Sequence, residues 1–191
     1  MKSLLFVLPI LFILSCKTVD PNLGREDISR YRTIGSTAAA AIQSALLGEV
    51  TAAMKKGGAA YAVEFCSSKA LPVTDSIARL HSCTVRRISE KNRNPLNAPE
   101  NDDDRAILHL FARQQAAGGQ PGDTVVFDAH SVTYYKPIVV GMQACLNCHG
   151  NSIEPATMQT IAARYPNDRA TGYRLHDLRG AWKITMEKRS D

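Results

Sequence analysis

The most constraining feature of this chain is Cys145-Leu146-Asn147-Cys148-His149-Gly150. It reads C-x-x-C-H, the attachment signature of c-type haem. Two thiols three residues apart lie on one face of a turn or short helix, where they can form thioether bonds to the two vinyl groups of one porphyrin. His149 follows directly, so its imidazole can reach the iron from the same side. A structural cysteine pair has no need of that histidine. The competing readings are half of a zinc site and a redox dithiol. Zinc needs four ligands, usually with a second close pair, but Cys66 and Cys83 are 17 residues apart and far upstream. A thioredoxin-like dithiol opens a helix after a strand in a βαβ unit, and no such unit is legible. The expected cofactor is one covalent haem c, with Cys145 and Cys148 as thioether positions and His149 as an axial ligand.

Attachment of such a group requires export, so the N-terminus matters next. Lys2 precedes an apolar run from Leu4 to Leu14 and then Ser15-Cys16. This is a short export signal rather than a membrane-spanning helix. Ile13-Leu14-Ser15-Cys16 resembles the lipobox of bacterial lipoproteins. That resemblance implies removal of residues 1–15, a lipid on Cys16, and a periplasmic-side location at a membrane surface. Residues 16–24 then form a tether, and residues 25–191 form one domain with room for a proper core. The formal net charge of +5 is spread along the chain without a dense basic block or interleaved aromatics, which argues against a nucleic-acid partner. Of five cysteines, Cys66 and Cys83 remain unassigned, and in an oxidising compartment the plain reading is a disulfide between them.

The remainder reads as α+β. Ile28 to Met54 is Ala-, Leu- and Ile-rich with near-helical apolar spacing, which predicts a long helix stopped before Gly57-Gly58. Its small residues allow close packing against another helix or a second copy of the chain. A second helix covers Ala59 to Ser68 and turns Cys66 inward. Leu71-Pro72 breaks it, and a third piece runs on to His81. Cys83 to Ile88 is a strand, and Ser89 to Pro99 is a loop with fixed turns. Asn101 and Asp102 to Asp104 open a helix carrying Ile107, Leu108, Leu110 and Phe111. Thr124–Phe127 and Val132–Val140 form an antiparallel hairpin leading into C-x-x-C-H. Glu154 to Tyr165 is helical, residues 172–180 are a loop, and Ala181 to Met186 is the last strand. Runs of helix followed by antiparallel strands give an α+β fold, with long N-terminal helices and the haem segment against a sheet.

Several blocks of the chain resemble a known family of single-haem c-type cytochromes with a PAS-like haem-binding domain, which also occurs as the extracytoplasmic sensor region of some histidine kinases. They are Ala62-Val63-Glu64-Phe65-Cys66, Arg87 through Asn97 with its Arg93-Asn94-Pro95-Leu96-Asn97 core, Tyr135-Lys136-Pro137, the C-x-x-C-H segment, and Tyr165 through Tyr173. They run in the family's order over most of residues 16–191. The resemblance implies a PAS-like antiparallel sheet and a cysteine as the second axial ligand, which falls on Cys66. From the residues alone, His109 stands close behind Cys66, followed by His81, His130, His176, Met54, Met142 and Met158. With Cys66 on the iron, Cys83 becomes a buried free thiol.

Arg93, Asn94 and Asn97 can bind haem propionates, because arginine makes charge-assisted bonds to carboxylates; equally, they can stiffen their own loop. Tyr134, Tyr135, Tyr165 and Tyr173 pack either on the porphyrin or in the core, and Trp182 reads as core. A six-coordinate His/Cys iron favours electron transfer or redox and ligand sensing through an unidentified partner protein. The alternative is a small haem enzyme, peroxidase- or reductase-like, with an open iron face and His109 or Arg93 beside it.

Overall fold

A computed structural model describes residues 24–188. The expected signal segment, Cys16 and nearly all of the tether lie outside the described residues. The first element, α1 (Arg25–Leu80), is one helix by hydrogen bonding but two limbs by geometry. Gly57 (φ −154°) and Gly58 (φ +74°, ψ −168°) leave the helical region between them. The conformation at Gly58 is open only to a residue without a Cβ, so the predicted stop at Gly57-Gly58 is present as a sharp joint. The predicted break at Leu71-Pro72 is not: the second limb runs through Pro72 to Leu80. Proline costs a helical interior about 3 kcal/mol. Here Ala70, Thr74 and Ala78 bury one face of the limb on both sides of it, so tertiary packing overrides the local penalty.

The sheet has four antiparallel strands, β1 (Thr84–Ile88), β2 (Thr124–Phe127), β3 (Ser131–Val139) and β4 (Leu178–Glu187), in the order β1-β4-β3-β2. The hairpin is as predicted, with Phe127 opposite Val132. The last strand is longer than the sequence suggests: β4 begins inside the expected 172–180 loop. Alternation sorts side chains onto two faces. Val132, Tyr134, Trp182, Ile184 and Met186 meet Tyr31, Ala38, Ala39, Ile42 and Leu46 of α1. Gly35 lets the helix lie directly on the sheet, since a Cβ there would come within 2.4 Å of the Tyr134 ring. On the opposite face, Ile88, Tyr135 and Ala181 meet Leu108 and Phe111 of α2 (Asp102–Ala116). Asn101 caps α2 by accepting from the Asp104 amide (2.9 Å), as its sequence implies. The buried Asp104 accepts from Tyr135 Oη (2.9 Å) and pairs with Lys183 (3.0 Å), pinning α2 to the sheet.

Between β3 and β4 come a 3-10 turn (Gln143–Cys145), α3 (Leu146–His149) and α4 (Pro155–Arg164). This is the expected α+β, PAS-like arrangement with long N-terminal helices. Two cysteine readings change. Cys66 and Cys83 are both free, so the disulfide does not form. Cys83 is half-buried rather than buried, with its Sγ 3.6 Å from the Ala78 carbonyl.

Candidate functional site

The C-x-x-C-H segment folds as a 3-10 turn followed by a single helical turn, in keeping with the turn or short helix expected from its sequence. The Cys145 amide donates to Met142 O (3.0 Å) and the Gly150 amide to Leu146 O (2.9 Å). A Cβ at Gly150 would lie 2.7 Å from that same oxygen, so the turn closes only around a glycine. Two distant loops then grip it. The Tyr173 amide donates to His149 O (2.9 Å) and the Gly172 amide to Gly150 O (3.0 Å). Arg93 donates through Nη2 to Cys148 O (2.6 Å), and its guanidinium pairs with Asp168 through Nε and Nη2, each at 3.1 Å.

His149 is the best-defined side chain here. Its Nδ1 lies 2.7 Å from Ala170 O. A carbonyl only accepts, so Nδ1 carries the proton and Nε2 keeps its lone pair. Burial pushes this imidazole well below its usual range, and Arg179 and Arg93 push it further against the opposing bond from Ala170. It is therefore neutral at neutral pH, as a ligand nitrogen must be. Tyr173 packs edge-on to the ring, 6.3 Å between centroids.

Beside it lies a cavity of about 160 Å³ lined by Arg87, Asn97, Ile138, Cys145, His149 and Arg179, among others. Cys148 is half-buried next to it; burial pushes its thiol up, opposed by Arg93 and reinforced by Cys66 and Cys145. Cys66, on the second limb of α1, is not in the cavity lining, yet its charge is felt at Cys148. Burial pushes the Cys66 thiol up as well, with Arg87 and then Arg93 pulling it back. The structure thus gathers Cys66, Cys145, Cys148 and His149 from three elements into one neighbourhood.

The Arg93-Asn94-Pro95-Leu96-Asn97 loop also reaches the site, in differing ways. Arg93 is committed to Asp168 and Cys148 O. Asn94 caps a 3-10 turn (Pro95–Asn97) by accepting from the Leu96 amide (2.9 Å). Asn97 lines the cavity, and its carbonyl accepts from the Ser89 amide (2.9 Å). The histidine rivals sit elsewhere. His109 is exposed and bonded to Glu90 (2.9 Å), and neither it nor His81, His130, His176, Met54, Met142 or Met158 lines the cavity. Of the four tyrosines, Tyr134 and Tyr135 belong to the two cores of the sheet, Tyr173 touches His149, and Tyr165 lies within the field of Cys66 and Arg87. Trp182 is core.

Two cavity-lining arginines had no role in the sequence reading, Arg87 and Arg179. Arg179 is the extra residue of a β-bulge: Ile138 opposes Gly180 and Val139 opposes Leu178, which leaves Arg179 without a partner across the sheet. Bulges re-aim side chains in this way beside functional sites. The only trace in the sequence is an Arg-Gly pair interrupting a strand.

The model of the Tll0287-like family matches residues 21–187. The chain belongs to the Tll0287-like family. Its fold is similar to the crystal structure of the cyanobacterial heme-protein Tll0287, with a TM-score of 0.62 and 25% sequence identity over 88% of this chain and 99% of that one. No curated protein sequence matches the chain. The Tll0287-like match takes in all five blocks quoted from the sequence.

Proposed function

We propose that this chain is a haem protein, carrying one c-type haem through Cys145 and Cys148, and that it works in electron transfer or in redox or ligand sensing. The observation that carries the reading is the His149 geometry. Its Nδ1–H is anchored on Ala170 O, its Nε2 is left for a metal, and two free thiols precede it in a turn that closes at Gly150. Metal-binding histidines are oriented by just such a carbonyl bond. Membership of the Tll0287-like family and the likeness to a cyanobacterial heme-protein agree with this chemistry. The residues present fit the group: a ligand nitrogen, two thiols, an apolar strand edge at Ile138 to Val140, and arginines for carboxylates. When bound, haem supplies one-electron chemistry and a site for axial ligands.

Cys66 is the second axial ligand in this proposal. Its thiol is free and half-buried; burial pushes it up, with the Arg87 and Arg93 guanidiniums opposing, and bonding to iron would draw off its proton. His109, the candidate acid/base of a haem enzyme, is exposed and lies outside the cavity, so no observation favours the enzymatic alternative. The proposal places the chain outside the cytoplasm, tethered by lipid on Cys16 and passing electrons or a signal to a partner protein. Among the described residues, no helix is long and apolar enough to cross a membrane.

The test is an optical and EPR comparison of purified ferric protein, wild type against Cys66→Ala. A low-spin thiolate spectrum lost in the variant supports His149/Cys66 ligation. A high-spin spectrum unchanged by the substitution removes Cys66 and brings the enzyme reading forward. Covalent attachment is checked separately: haem should stay with the denatured wild-type chain and leave Cys145→Ala/Cys148→Ala.

A further inference from the structure

Four arginines of the described region are at least partly buried: Arg86, Arg87, Arg93 and Arg179. Arg86 pairs with Glu100, and Arg93 pairs with Asp168. Arg87 and Arg179 have no carboxylate partner among the described residues, and both line the cavity at His149. Buried charges in proteins are ordinarily paired, because leaving water without a counter-ion is costly.

The two are held as if to wait for an anion. Arg87 stands on the α1 face of β1, its guanidinium 5.8 Å from the Trp182 ring centre, with no hydrogen-bond acceptor among the described residues. Arg179 is aimed by the β-bulge and steadied on one side only: its Nη1 donates to Ser89 Oγ (3.0 Å) and Lys91 O (3.1 Å), and its plane lies over Tyr173 at 5.2 Å. Burial, then Arg87 and Arg93, against an opposing pull from Tyr173, bring the Arg179 guanidinium down to about 10. Two cations sharing one cavity repel each other, and two carboxylates would turn that repulsion into paired, charge-assisted bonds.

We infer that Arg87 and Arg179 hold the two propionates of the haem, while Arg93 is a positioning residue that fixes the attachment turn through Cys148 O and Asp168. This rests on the haem reading above. It moves the propionate role from Arg93, Asn94 and Asn97 to residues on β1 and β4.

The experiment uses the full chain with Cys145→Ala/Cys148→Ala, so that haem binds reversibly through His149. Hemin and hemin dimethyl ester are titrated into this protein and into the same protein carrying Arg87→Gln/Arg179→Gln. The expected result is binding of the ester about tenfold or more weaker in the first protein, and a difference of less than about twofold in the second. An ester penalty that survives the arginine substitutions, or no penalty in either protein, overturns the assignment. If neither compound binds and the wild-type chain also carries no haem, the haem reading itself has failed. A second measurement uses covalently loaded protein. There Arg87→Gln and Arg179→Gln should each add a pH-dependent step to the midpoint potential, because a propionate without its arginine titrates nearer neutral pH. Profiles superimposing on wild type overturn the inference even if the alanine variant takes up no haem.

Discussion

The sheet and the site are built on different principles. Between α1, the sheet and α2, the chain buries large side chains such as Ile42, Tyr134, Ile184 and Phe111 almost completely. Around the C-x-x-C-H turn, the fully buried apolar residues are few and mostly small: Val140, Ala170 and Tyr173. That end is held instead by polar bonds between distant loops, namely Arg93 to Cys148 O, Lys91 Nζ to Thr171 O (2.8 Å) and Tyr173 N to His149 O. A packed core is held by filled space, and a polar scaffold holds its shape around space left over. The first suits a scaffold and the second suits a pocket that a large apolar group is to fill. The two regions should therefore fail in different ways.

The sharpest contrast comes from one truncation in each. Phe111→Ala removes a ring with no exposed surface from the α2 face. Large-to-small changes of this kind cost about 3–5 kcal/mol, which in a domain of this size lowers Tm by roughly 10 °C. Thermal denaturation should show it as one cooperative, shifted transition. Arg93→Met instead strips Asp168, whose side chain is 9% exposed, of its counter-ion. The cost is about 3 kcal/mol, and it should fall on the loops. Hydrogen exchange is expected to accelerate at the amides of Gly150, Gly172 and Tyr173, while the β3 and β4 amides stay protected. Uniform loss of protection across the sheet would break the distinction between the two regions.

Alkali probes the packed region from another side. Burial first, then hydrogen bonds to Asp123 and Asp104, push the Tyr134 and Tyr135 phenols well above the usual value of 10. The folded state therefore keeps its phenol protons when the unfolded state has lost them. Their contribution is fully present below pH 10 and is lost as pH rises beyond it. Each phenol contributes up to about 1.4 kcal/mol per pH unit above 10. Tyr134→Phe and Tyr135→Phe should each flatten the alkaline decline of stability in denaturant titrations, and an unchanged slope in both would contradict the buried-phenol account.

The same division explains what the sequence made legible. The legible signals are local: the Asn101 cap, the hairpin, the Gly57-Gly58 joint and the attachment motif each depend on residues within a few positions. Pro72 misleads because its penalty is local while its compensation, at Ala70, Thr74 and Ala78, is tertiary. The start of β4 is hidden because the bulge at Arg179 and Gly180 interrupts alternation. The site's polar grip could not be read, since Arg93 and Asp168 lie 75 residues apart and meet only through the folded loops. Arg179 gains its role from the register of β3 against β4, a property of the sheet rather than of either strand.

The smallest expected effect lies on the seam between the two regions. Glu64 and Arg164 join the second limb of α1 to α4 through a contact of 2.8 Å, two residues before Cys66. Both side chains are about half exposed (50% and 48%), so solvent screens the pair and the ordering of two long side chains offsets much of its attraction. A double-mutant cycle with Glu64→Gln and Arg164→Gln should give a coupling of about 0.2–1 kcal/mol, falling as salt is added. A larger, salt-insensitive coupling would mean that the limb carrying Cys66 is held in place by charge, like the loops around C-x-x-C-H. The expected small value instead assigns the limb to the packed scaffold through Ala70, Thr74 and Ala78. In that case Cys66 is presented to the site by a rigid part of the fold, and the polar loops on the opposite side are the ones that yield.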